Sequence, residues 1–401
     1  MRVLSRLASC AVVLIVVAAC GTAAPTPNLG LPTPAPSAAQ TPGPSASEAS
    51  PSSDTTATPI AVGKFVATGT MTTARRSGTA TLLADGKVLF VGGQDANGAT
   101  LASAEIYDPA TGKFAATGSM KTPRFGHAAT LLKDGRVLIT GGGNEGSDQL
   151  DTSEIFDVAT GKFIESGKMS VARVSQTATA LSDGRVLVAG GADADGNGID
   201  SADLFDPATN SFAPTGKLAA ARWGQTATLL KDGRVLIAGG NNGPAALDSA
   251  EIYDPATGRF TASGSMSISR WGHTATFLAD GRVLIAGGQD TDGNQLQTAE
   301  VFDPATGGFS VTGPMTSNRV GHSAALLKNG LVLLAGGTDA SGNGTATAEL
   351  FDPSDNTFTS TGSLVNPRAY QTATSLTNGQ VLIAGGVSGD TVYDTAELYQ
   401  P

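Results

Sequence analysis

The sequence predicts an all-β fold, a seven-bladed propeller of four-stranded blades. Three observations lead there. From Gly63 onward one unit of 48 or 49 residues is written seven times, starting at Gly63, Gly112, Gly161, Asn210, Gly258, Gly307 and Asn356. A period in this range marks a solenoid or propeller rather than two ordinary domains. No segment of the unit carries a helical apolar stripe. Finally, the repeat region opens with a fourth-type strand, "GKFVATGTM", and ends with a third-type strand, "TAELYQP". The N-terminal strand therefore completes the last blade, and the ring closes with no orphan edge.

The fifth unit, "GRFTASGSMSISRWGHTATFLADGRVLIAGGQDTDGNQLQTAEVFDPAT", shows the elements in order. "RWGHTATFL" and "RVLIAGG" read as the first two strands, joined at Ala279-Asp280-Gly281. Asp-Gly or Asn-Gly stands at this turn in every unit, as a two-residue hairpin with positive φ requires. "TAEVFDP" follows a longer loop as the third strand. "DPATG" then turns the chain into a fourth, "GFSVTGPM". The double glycine of "DGRVLIAGG" is not a phosphate loop, because each copy runs into a polar loop and another strand instead of a helix N-terminus.

These units resemble kelch repeats. The resemblance lies in the double glycine, the aromatic of "AEIYDP" and a second aromatic seven residues later, as at Tyr107 and Phe114. Kelch units usually carry tryptophan at that second site, where this chain has Phe65, Phe114, Phe163, Phe212, Phe260, Phe309 and Phe358. The resemblance implies a propeller similar to that of galactose oxidase, whose copper site needs a tyrosine cross-linked to a cysteine. It also implies a comparison with sialic acid mutarotases, which place acid, base and arginine groups in the central mouth. Neither constellation is legible here, and no Ser/His/Asp set or nucleophile elbow is present.

The N-terminus reads differently. Arg2 and Arg6 precede an apolar run from Leu7 to Ala19, the layout of a signal peptide. The run ends in Val17-Ala18-Ala19-Cys20, which resembles a bacterial lipobox and implies lipidation at Cys20 with removal of residues 1–19. Cys10 would leave with the leader, so neither disulfide nor thiol chemistry is expected of the propeller. Removing residues 1–19 takes two arginines and no acid, moving the net charge from −10 to −12. That balance gives no electrostatic reason to bind nucleic acid. Residues 20–60 hold nine of the twenty prolines and almost no large apolar groups, the composition of a disordered linker. The organisation expected is thus a leader over 1–19, a lipidated linker over 20–60 and a propeller over 61–401. The propeller is expected to be monomeric and outside the membrane, in an extracellular or periplasmic space.

Function is expected on the variable face. In a propeller the first-to-second and third-to-fourth turns share one face, nearly uniform here. The second-to-third loops on the other face differ, for example "QDANGATLA", "GNEGSDQLD" and "VSGDTVYD". At that face stand Arg75, Arg124, Arg173, Arg222, Arg270, Arg319 and Arg368. They admit two readings: an anion-binding ring, or scaffold ion pairs with Glu105, Glu154, Asp203, Glu251, Glu300, Glu349 and Glu397. Matched numbers of bases and acids favour the scaffold. The next position varies as Arg76, Phe125, Val174, Trp223, Trp271, Val320 and, aligned one place later, Tyr370. The candidate ligand surface is therefore Arg124, Phe125, Arg222, Trp223, Arg270, Trp271, Arg368 and Tyr370, with blade-to-blade packing as the other reading of the aromatics. His127, His273 and His322 share one repeat position with Gln176, Gln225 and Gln371, which points to a hydrogen-bonding role rather than a metal ring. The loops at 193–200 and 290–294 echo calcium loops but lack a closing acid, and simple turns explain them. No cofactor is expected. The function expected is a non-catalytic binding module for a protein or a glycan, with a mutarotase-type enzyme or a structural envelope component as alternatives.

Overall fold

The computed structural model describes residues 62–145 and 149–401. The leader, Cys20 and the linker lie outside the described residues. Blade 1 is a meander of Thr79–Leu82, Val88–Val91, Ala104–Asp108 and Lys113–Ala116, all antiparallel. Blades 2 to 6 repeat this order. Blade 7 takes Thr372–Ser375, Val381–Ala384 and Thr395–Gln400, and its outer strand is Lys64–Thr70 from the other end of the chain. Lys64 faces Gln400 and Phe65 faces Tyr399, so the ring closes as the strand order requires. First strands of successive blades adjoin one another, including blade 7 with blade 1.

The second strands explain why the apolar runs are unbroken. Val88, Leu89, Phe90 and Val91 are all buried because each blade is sandwiched between two others. Side chains alternate across the sheet, so Val88 and Phe90 pack with Leu382 and Ala384 of blade 7. Leu89 and Val91 pack with Val137 and Ile139 of blade 2. Truncating one such residue to alanine costs about 2–5 kcal/mol. Outside this layer each third-strand aromatic meets a fourth-strand phenylalanine, with Tyr107 and Phe114 ring centroids 4.9 Å apart and tilted 52°. Phe thus fills the site where kelch units place Trp.

The paired glycines close the seams between blades. Gly92 and Gly93 have φ of 60° and 97°. A Cβ on Gly92 would stand 2.5 Å from the Arg124 carbonyl oxygen of the next blade. Both the backbone conformation and the approach exclude a side chain.

The Asp-Gly hairpins differ from the two-residue form expected. Leu83 donates its N–H to the Lys87 carbonyl and Gly86 donates to the Leu83 carbonyl, leaving three residues in the turn. Only the glycine has positive φ, while the Asp85 carboxylate caps the Lys87 N–H at 3.1 Å. A type I turn followed by a left-handed residue satisfies the same sequence with one strained position instead of two.

Candidate functional site

The arginine before each first strand is built into the blade. Arg124 donates from Nη1 to the carbonyls of Gly141 and Thr152, at 2.9 and 3.1 Å, and from Nη2 to Glu154 Oε1 at 2.9 Å. The Glu154 carboxylate also accepts the backbone N–H groups of Lys121 and Thr122, at 2.8 and 3.1 Å. One ion pair therefore ties the incoming loop to the second and third strands. Equivalent pairs join Arg75–Glu105, Arg173–Asp203, Arg222–Glu251, Arg270–Glu300, Arg319–Glu349 and Arg368–Glu397, at 2.6 to 3.0 Å. Burial holds the guanidinium pKa below its ordinary value at Arg75, Arg124, Arg173, Arg222, Arg270 and Arg368, and the partner acid acts in the opposite sense. Arg124, Arg222, Arg270 and Arg368, expected at the ligand surface, are 0 % exposed. Their terminal nitrogens are spent on the scaffold and nothing of them reaches the surface, so the arginine part of the expected surface is corrected accordingly.

One residue further along the chain the blades diverge. Phe125, Val174, Trp223, Trp271 and Val320 occupy equivalent bridge positions, opposite Gly143, Ala192, Asn241, Gln289 and Thr338. Trp223 and Trp271 are half-buried neighbours with centroids 5.1 Å apart, tilted 60°. The Trp223 Nε1 has no partner among the described residues. Phe125 is buried, with its ring against Gly143. Ala369, and not Tyr370, holds the equivalent bridge in blade 7.

Tyr370 occupies the next position, where the other blades have Gly or Ser at positive φ. Its own φ is 55°. A bulky residue in this region costs of order 1–3 kcal/mol. The ring covers Gly321 so closely that a Cβ there would lie 2.7 Å from it, and the Tyr370 N–H donates to the Gly321 carbonyl at 2.7 Å. Similar bonds run from Gly126 to Ser77, Ser175 to Gly126, Gly224 to Ser175 and Gly272 to Gly224, at 2.9 to 3.2 Å. These bonds link blades 1 to 5 in succession and blade 6 to blade 7, one residue after the divergent side chains.

The histidines tie blades together. His127, His273 and His322 each place Nε2 at 2.9 or 3.0 Å from a threonine hydroxyl of the preceding blade: Thr79, Thr226 and Thr274. Gln176, Gln225 and Gln371 reach the preceding blade's backbone from the same position. Blade 1 has Gly78 there, so the closing seam lacks a side-chain tie of this kind. Burial holds all three histidines neutral by lowering their pKa to about 3. The hydrogen-bonding reading of these histidines is the one the geometry bears out.

The Asp/Asn loops are self-capped. Asp193 Oδ1 accepts the N–H groups of Asp195 and Asn197 at 2.9 Å, and Asp290 Oδ1 accepts those of Asp292 and Asn294 at 3.0 and 2.8 Å. These are Asx turns, with the first aspartate folded onto its own loop.

Comparison with known proteins agrees with this architecture. A model of the Kelch motif matches residues 75–121 and 223–267. A solved fungal alcohol oxidase of the AA5 family, determined in complex with copper, superposes with a TM-score of 0.71 at 20% identity. The match covers 85% of this chain and 77% of the oxidase. The curated proteins contain no sequence match. The likeness to the oxidase shows the fold alone. Among the described residues no three His, Cys, Asp or Glu side chains converge. The histidine Nε2 atoms face threonine hydroxyls, so the donor set among the described residues does not fit copper; Cys10 and Cys20 lie outside the described residues. Seven four-stranded blades, two matched motifs and a ring closed by the N-terminal strand identify the chain as a seven-bladed kelch-type β-propeller.

Proposed function

We propose that this protein is an exported, lipid-anchored, non-catalytic interaction module that holds a protein or a glycan on its variable face. The observation that carries the reading is the Trp223–Trp271 pair. It is partly exposed, sits where the repeat breaks its own symmetry, and rests on a rigid ion-paired scaffold. Tyr370, partly exposed, extends the aromatic character of the same collar, giving apolar area at low entropic cost, whereas Phe125 is buried and drops out of the expected surface. The kelch propeller itself supports an interaction role.

Attachment through Cys20 fits the geometry of the first strand. Gly63 accepts the Gly362 N–H at the third-to-fourth corner, so the chain leaves the propeller on the face opposite the variable loops. A screen of envelope proteins and glycans against wild type and the Trp223→Ala/Trp271→Ala variant tests the site. Binding weakened at least tenfold is expected, and unchanged binding would sink it. Partition into a detergent phase, abolished by Cys20→Ala, tests the anchor; retention of the variant in that phase rejects it.

A further inference from the structure

The two faces of the propeller share its charge unequally. Leaving aside Glu48, Asp54, Asp148, Arg2 and Arg6, which lie outside the described residues, the chain's 35 acids and 25 bases become thirty-two and twenty-three. Seven of each form the buried ion pairs of the scaffold. The turns and corners of the uniform face carry twelve of each, so that face is neutral as a whole. The variable loops and the outer strands leading to them keep the remainder, thirteen acids against four bases. Three of those bases are already paired: Lys121 with Glu165 at 2.8 Å, Lys168 with Asp151 at 3.3 Å and Lys217 with Asp200 at 3.2 Å. Ten carboxylates remain, at least one from every blade, and Arg76 is the one base left to face them.

The tryptophan pair lies within this acidic surround. Trp271 donates its N–H to the Gln289 carbonyl at 3.0 Å, and Arg270 donates to the Leu247 carbonyl at 3.0 Å. The next residue in each of those loops is an aspartate, so Asp290 and Asp248 flank Trp271 on two sides. On the Trp223 side, Gly198 donates to the Asn242 carbonyl at 3.3 Å, which brings the loop of Asp193 and Asp195 against blade 4. The collar also contains a cation already seated on an aromatic ring. The Arg368 guanidinium carbon stands 5.0 Å from the centroid of Tyr393, and the residue after that tyrosine is the exposed Asp394.

We propose that the partner held at the tryptophan pair is a protein segment rich in arginine or lysine. The inference rests on the reading of that pair as the binding site and narrows what it holds. An indole face attracts a guanidinium or ammonium through its quadrupole, and the apolar stem of either side chain lies flat against the ring. Carboxylates on several blades steer a cationic partner toward the mouth from a distance and fix its orientation on contact. The same charges repel acidic polymers, so the surface selects by exclusion as well as by attraction. Ten carboxylates held around one mouth oppose folding by their mutual repulsion, and the neutral uniform face shows that the blade does not require such an imbalance. A cationic partner relieves that repulsion when it binds.

Calorimetric titration of the whole chain with a peptide of alternating glycine and arginine tests the assignment, with Gly-Ser and Gly-Glu peptides of the same length as controls. The arginine peptide is expected to bind in preference to both and to shift the emission of Trp223 and Trp271, the only tryptophans present. Two variants of equal net charge separate the faces. Asp195→Asn/Asp248→Asn/Asp292→Asn/Asp390→Asn/Asp394→Asn removes exposed carboxylates from the variable loops and is expected to weaken binding at least tenfold. Asp108→Asn/Asp206→Asn/Asp254→Asn/Asp303→Asn/Asp352→Asn acts on the uniform corners, where asparagine keeps the cap that each aspartate gives its own turn, and leaves binding unchanged. Equal weakening by the two variants, or no preference for the arginine peptide, would overturn the assignment. A partner from the envelope screen that needs the tryptophans yet binds the variable-loop variant as tightly as wild type would also overturn it, while leaving the collar as the site. Arginine-peptide binding untouched by Trp223→Ala/Trp271→Ala would sink the collar reading and this one together.

Discussion

The arginine shell and the aromatic collar are neighbours in sequence and opposites in behaviour. Arg222 and Trp223 are consecutive, yet the first is fully buried in an ion pair found in every blade, while the second is partly exposed and matched by a tryptophan in blade 5 alone. A position that repeats seven times is solving a problem common to all blades, here the satisfaction of loop N–H groups and strand-end carbonyls. A position that changes from blade to blade has been released from that problem. The lesson is that charge at a mouth is not by itself a binding signal. What matters is whether the guanidinium still has donors to offer.

The largest effect expected on this contrast comes from acid. The histidine ties have a folded pKa near 3 against an ordinary 6.5, so the unfolded chain binds more protons between those values. Stability is fully present above pH 6.5 and is lost as pH falls toward 3. The unfolding free energy obtained from urea melts is expected to fall across that window by several kcal/mol, at about 1.4 kcal/mol per pKa unit for each histidine. Replacing His127, His273 and His322 with glutamine, the residue native to this position elsewhere, is expected to flatten the acid limb.

Next comes the direct comparison of the two neighbours. Arg222→Met strands the Glu251 carboxylate in the interior and is expected to cost about 3–5 kcal/mol in denaturant unfolding. Trp223→Ala is expected to cost less stability and to act on ligand affinity, read by titration with whichever partner the screen identifies. Equal stability losses for the two would erase the distinction between shell and collar. The smallest effect concerns Tyr370. Gly321→Ala alone is expected to destabilise by about 1–3 kcal/mol, through positive φ and a clash with the Tyr370 ring. Adding Tyr370→Gly removes the clash and recovers part of the loss. A double-mutant cycle with no coupling would contradict the contact.

Much of the fold was legible because it depends on local pattern repeated seven times: four short strands, Gly-Gly after the second, and a spare strand at the start. Fourth-strand-first closure followed from counting alone. Features that depend on what faces what across a seam were not legible. The arginines could be matched to acids by number, but only geometry shows each guanidinium buried against its acid and the strand-end carbonyls. Tyr370 was set one place off because its blade puts Ala369 at the bridge and a tyrosine at a position of positive φ that favours glycine.

The closing strand has a mechanical consequence. Lys64–Thr70 begins on the corner face and runs toward the variable loops, paired along its length to Thr395–Gln400. The seam it helps to close is also the one where Gly78 stands in place of a histidine or glutamine tie. Tension between a ligand on the variable face and the N-terminal segment pulls along this strand, at right angles to its hydrogen bonds. The load is then shared by the whole ladder in shear instead of opening it rung by rung. The strand that completes the ring is thereby also the one through which any pull from the N-terminal segment enters the propeller.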